Sequence, residues 1–157
     1  MNLAFLRIAA LSLSLAAGAS FAADTAPVND KFTPARTKIA EKNWTAAIDE
    51  LKKVNDPASA EWNNLMGYSL RKADPVTNAG EAEKFYNEAL RIEPRHRGAL
   101  EYSGELYLMT GDLAKAEERL AALDKACFLP CEEYSDLKKA VARYKAAGNK
   151  YVAPEKW

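Results

Sequence analysis

The chain is expected to be all-α, a row of helices in repeating pairs, and three observations in its 157 residues lead there. The first is a register: Ala47, Ala82 and Ala116 stand 35 and 34 residues apart. Four residues beyond them come Leu51, Tyr86 and Leu120, and three further on come Val54, Ala89 and Leu123. A small residue followed by apolar ones at four and seven is one helical face written three times. The second is another helix type between these: Trp62, Leu65, Met66 and Leu70 surround Gly67 in the segment Glu61 to Arg71, and Leu100 and Tyr107 flank Gly104 in the segment Gly98 to Met109. The third is a closing periodic run after Cys131, in which Tyr134, Leu137, Val141 and Tyr144 share a face and Glu, Asp and Lys fill the other.

Taken in order, residues 1–22 read as a secretory signal peptide. One Arg precedes the apolar run Ile8 to Ala17, small residues follow, and Ser20 and Ala22 occupy the two positions a signal peptidase inspects. The run is too short to span a bilayer stably, although an uncleaved N-terminal anchor is the alternative. Residues 23–32 are polar and expected to be flexible. Thr33-Pro34 and Asp56-Pro57 each place a capping residue before a proline, which fits a first helical turn. Asn43-Trp44 is a turn followed by an apolar anchor, and Ala73 to Gly80 is a longer loop. Asn78 with Glu81 suits a reciprocal capping arrangement, Gly111-Asp112 ends one helix and caps the next, and Gly148 stops the last. A glycine inside a helix costs about 1 kcal/mol against alanine, so the recurrence of Gly67 and Gly104 points to a neighbouring helix packed close on each.

These units carry a resemblance. Asn64-Leu65-Met66-Gly67-Tyr68, Ala82 through Ala89-Leu90 to Pro94, and Gly104 through Gly111-Asp112 to Ala116 resemble the tetratricopeptide repeat, over roughly 33–127. The resemblance implies a right-handed superhelix of about three helix-turn-helix pairs (33–57, 58–94, 95–130), a capping helix over 131–147 and a tail over 148–157. Ala35, Asn63 and the Cys127-Phe128-Leu129-Pro130 stretch depart from the repeat pattern. More narrowly, Arg95 to Tyr102 together with the cysteine pair and Glu132-Glu133-Tyr134 resemble small exported bacterial tetratricopeptide proteins.

Charge excludes some classes of function. Lys and Arg number 22 and Asp and Glu 22, interspersed along the chain, so nothing marks a nucleic-acid or anionic-membrane surface. No glycine-rich phosphate loop, nucleophile elbow or metalloprotease signature is present, no cofactor is implied, and catalysis is not expected. The two cysteines, Cys127 and Cys131, lie four apart across a proline turn, and export places them where disulfides persist. A disulfide there would pin the capping helix to the stack. The alternatives are a copper or zinc site made by Cys127, Cys131 and His96, the single histidine, or a thiol-redox role.

In tetratricopeptide arrays the first helix of each pair lines a concave groove. Carried onto this chain, the resemblance assigns Glu61, Asn64, Tyr68 and Arg71 to that groove from one helix, and Glu101, Glu105, Leu108 and Met109 from the next. Such a surface suits an extended peptide or a helix of a protein partner. The bland alternative is that Arg71, Glu101 and Glu105 only pair with each other across the repeat boundary. The expected function is therefore a periplasmic or secreted adaptor, with a homo-oligomer through the apolar ends of the stack as another outcome.

Overall fold

The computed structural model describes residues 30–153. The expected signal peptide, most of the expected flexible N-terminus and Trp157 lie outside the described residues. Among those described there are seven helices and no strand: α1 (Thr33–Ala40), α2 (Trp44–Val54), α3 (Ala60–Ala73), α4 (Ala79–Ile92), α5 (Arg97–Thr110), α6 (Leu113–Ala126) and α7 (Glu132–Ala146). None is long and apolar enough to cross a membrane.

Each helix packs on the one before it. In addition α3 touches α5, and α5 touches α7, so these three share a layer. Burial separates two kinds of helix, as the two sequence patterns predict. Helices α2, α4 and α6 bury only a stripe: Ala47 and Leu51, then Ala82, Tyr86 and Ala89, then Ala116 and Leu123. Helices α3 and α5 are buried on nearly every side, because each is covered both by its own partner and by neighbours in the layer. Two apolar clusters result. One joins Phe32, Leu51, Trp62, Leu65, Tyr86 and Leu106; the other joins Leu100, Tyr107, Leu123, Leu137, Val141 and Tyr144. Helix α5 contributes to both, which makes it the keystone of the packing.

The glycines mark close approaches, although not to equivalent neighbours. A Cβ on Gly67 would lie 2.9 Å from the Tyr86 ring of α4, whereas one on Gly104 would lie 2.5 Å from Leu137 of α7. The same sequence position thus meets α4 in one case and α7 in the other.

Gly111 and Asp112 act where the sequence places them: Gly111 ends α5 in the left-handed region at φ 86°, and Asp112 accepts an N–H from three residues on. Asn43 and His96 cap α2 and α5 in the same way. Others need correction. Thr33 is the first helical residue rather than a cap, and Phe32 precedes it with no side-chain cap bond. Asp56-Pro57 does not open α3: Asn55 ends α2 left-handed, a turn follows, and the Ser59 hydroxyl accepts the N–H of Trp62. Asn78 precedes α4 without capping it, because its side-chain amide donates instead to the Leu70 carbonyl at 3.0 Å, tying the loop back to α3. Gly80 lies inside the first turn of α4 rather than in the loop.

Candidate functional site

The expected groove residues do gather on the α3/α5/α7 layer, but most are not exposed. Asn64, Arg71, Glu101, Glu105 and Leu108 are all buried, and Glu61, Tyr68 and Met109 are partly so. Leu108 is corrected outright: at 1% exposure it belongs to the second apolar cluster and faces no ligand. The resemblance that assigned it to the groove with Glu101 and Glu105 does not register that Leu137, Val141 and Tyr144 of α7 join it in that cluster.

At the centre Arg71, 1% exposed, donates from Nη2 to Glu105 Oε2 at 2.9 Å and from Nη1 toward Met109 Sδ at 3.7 Å. The Arg71 guanidinium also lies 5.6 Å from the Tyr68 ring centroid and 5.8 Å from that of Tyr102. Tyr68 and Tyr102 pack on each other at 4.6 Å, and Trp44 of α2 meets Tyr68 edge-on at 6.0 Å. An aromatic row thus runs from α2 to α5, with a buried cation held against it. Pairing of Arg71 with Glu105 across the repeat boundary is therefore real. From α7, Glu133 and Asp136 act on Glu101, and Arg143 acts on Glu105.

Glu101 differs from its neighbour. Burial, the carboxylates of Glu105, Asp136 and Glu133, and only weak opposition from Arg71 push its carboxyl up to about 8, so it holds a proton at neutral pH. Burial also raises Glu105, against the pull of Arg71. Lys72 moves the other way, to about 8, because burial and the adjacent Arg71 disfavour its charge.

Toward the N-terminal ends of α3 and α5 the face opens into a cleft of about 380 Å³ whose walls include Arg36, Glu61, Asn64, His96, Arg97 and Tyr102. Glu61 accepts from Arg36 Nη2 at 2.6 Å and from His96 Nε2 at 3.0 Å. Burial pushes the Glu61 carboxyl up, but the His96 hydrogen bond and the Arg36 charge outweigh it and hold it below the usual range. His96 Nδ1 accepts the N–H of Ala99, which places the ring proton on Nε2, where it is donated to Glu61. The Asn64 amide lies against Gly98, where a Cβ would come within 3.0 Å of its Nδ2, and its Oδ1 has no hydrogen-bond partner.

Neither a protein-family model nor a curated protein matches the chain.

The cysteine pair sits elsewhere. The Cys127 and Cys131 sulfurs lie at disulfide distance, with Cα atoms 6.0 Å apart, and they join the C-cap of α6 to the residue preceding α7. Arg95 reinforces this junction by donating to the carbonyls of Lys125 at 3.0 Å and Ala126 at 3.2 Å. His96 does not join the pair: one ring nitrogen is turned to Glu61 of α3 and the other to its own helix. Among the described residues no three His, Cys, Asp or Glu side chains are grouped as a metal site. The loop they close holds Phe128, 97% exposed, and Leu129, 72% exposed, out in solvent, which no periodicity in the sequence indicates.

At the opposite end of the face, Tyr151 of the tail is half-buried beside Arg71, Lys72, Pro75 and Met109, around a recess of about 230 Å³. The expected tail, 148–157, has no sequence periodicity that decides between a loose segment and docked aromatics, and Tyr151 packs against the second apolar cluster.

Proposed function

We propose that the chain is an exported tetratricopeptide-type interaction module, with pairs α1/α2, α3/α4 and α5/α6 capped by α7, that holds a segment of another protein against its α3/α5/α7 face. The observation that carries this reading is the open cleft at the N-terminal ends of α3 and α5. Polar groups from three elements converge there beside an aromatic wall: Arg36 from α1, Glu61 and Asn64 from α3, and His96, Arg97 and Tyr102 around the start of α5. Both charge signs and a buried amide acceptor without a partner line it, a mixture that suits a peptide backbone with polar side chains better than a uniformly charged ligand. The buried Arg71–Glu105 pair then acts as the stiff floor that holds Tyr68 and Tyr102 in place rather than as a direct contact. The Cys127–Cys131 pair supports residence outside the cytoplasm, in the periplasm or secreted, since such bonds persist in oxidising compartments. The role is binding rather than catalysis.

Selection from a displayed random-peptide library against the mature protein tests the reading. The expected result is a convergent sequence whose affinity falls at least tenfold in Tyr102→Ala and is unchanged in Lys84→Ala on α4. Failure to converge, or equal loss in both variants, overturns it.

A further inference from the structure

We infer that residues 150–153 of the chain's own C-terminal segment occupy the C-terminal end of this same face and must be displaced by a segment that runs the full length of it. The inference rests on the ligand-binding reading of the face, and adds an internal competitor to it.

The reversal that brings the tail back is built into the backbone. Gly148 and Asn149 both adopt left-handed conformations, at φ 69° and 60°, with the Asn149 N–H donated to the Tyr144 carbonyl at 3.0 Å and the Gly148 N–H to that of Lys145 at 3.1 Å. Two successive left-handed residues turn the chain off the axis of α7 rather than letting it continue outward. Tyr151 consequently lands on the second apolar cluster and reaches the ends of α3 and α5, where Arg71, Lys72 and Met109 meet it.

The attachment is partial. Val152 is 47% exposed, and Tyr151 is only half-buried beside a recess of about 230 Å³. A tethered segment of this kind stays bound through its high local concentration rather than through tight contacts, so a ligand with more contacts replaces it. The N-terminal cleft lies at the other end of α3 and α5 and stays open meanwhile.

Two measurements on the full mature chain test the inference without any outside partner. In Tyr151→Ala, hydrogen exchange is expected to become severalfold faster at the ends of α3 (70–73) and α5 (106–110), while α1 and α2, which serve as the internal reference for global stability, are unchanged. A fluorescent peptide of residues Lys150–Trp157 is expected to bind Tyr151→Ala about tenfold more tightly than the wild-type chain, as for removal of a competitor at roughly millimolar effective concentration. Unchanged exchange at both helix ends overturns the docking, and equal peptide affinity for the two proteins, or none for either, overturns the competition. Failure of the random-peptide selection leaves both readouts intact, so the two readings fail separately.

Discussion

Replacing Glu101 with Gln is expected to make the protein more stable at pH 8 while leaving it nearly unchanged at pH 5. Glu101 lies on α5 at 9% exposure, with Glu105 one turn further along, Glu133 and Asp136 facing it from α7, and Arg71 of α3 pulling weakly the other way. Its carboxyl rises from 4.5 to about 8, so the folded chain keeps a proton that the unfolded chain has already lost. Stability therefore falls as pH climbs from about 4.5 to about 8 and levels off above that. At about 1.4 kcal/mol per pH unit the whole interval sets a ceiling on the order of 5 kcal/mol. Relaxation and water reaching the carboxyl reduce this, and ~2 kcal/mol is the expected gain of Glu101→Gln at pH 8, since the amide has nearly the same shape and no charge to bury. Lys72, lowered to about 8, is charged in both states through most of this window and adds little slope there. Glu105 adds slope of the same sign, but it is present in both proteins, so the difference between them isolates Glu101. Urea unfolding of both proteins from pH 5 to pH 8 measures the gap. A gap that stays constant with pH, or a variant weaker than wild type at pH 8, refutes the account of a buried proton-holding carboxyl.

The glycines give a pair of opposite signs. Gly80→Ala, in the first turn of α4 with nothing within 4 Å of the new Cβ, is expected to gain up to about 1 kcal/mol, whereas Gly104→Ala drives a Cβ to 2.5 Å from the fully buried Leu137 and is expected to lose 1 to 3, roughly, despite alanine's better helix propensity. Thermal melting of the two variants checks this, and a stabilised Gly104→Ala would show that α7 yields easily. Loss of the disulfide closes the set. Cys127→Ser and Cys131→Ser are each expected to cost about 2 kcal/mol, the low value set by so short a loop, and to converge with the reduced wild type in denaturant titration; a much larger loss in either would mean that its sulfur supports the packing of α7 beyond the crosslink.

Much of the candidate site was legible as positions and little of it as states. The pattern around Gly67 and Gly104 placed Tyr68, Arg71, Glu101 and Glu105 on two helices of one type, and they do share a layer. Periodicity could not say that Arg71 and Glu105, 34 residues apart, would bury each other, or that Leu108 would be sealed by α7. Capping was similarly divided. Asn43, His96 and Asp112 bond to N–H groups three residues away, a local event that sequence spacing describes well. Asn78 was misread because its amide found a stronger partner in the Leu70 carbonyl, eight residues back and brought near only by the α3–α4 packing.

What the sequence determined by itself is the helical content, the two classes of helix and most of their ends, because hydrophobic period, caps and glycine stops act within one or two turns of the chain. The tertiary structure alone decided which polar groups are buried, which carboxyl keeps its proton and where the tail lies. Those follow from the dielectric surroundings and from charges contributed by α3, α5 and α7 together, which come within reach of one another only once the helices have packed.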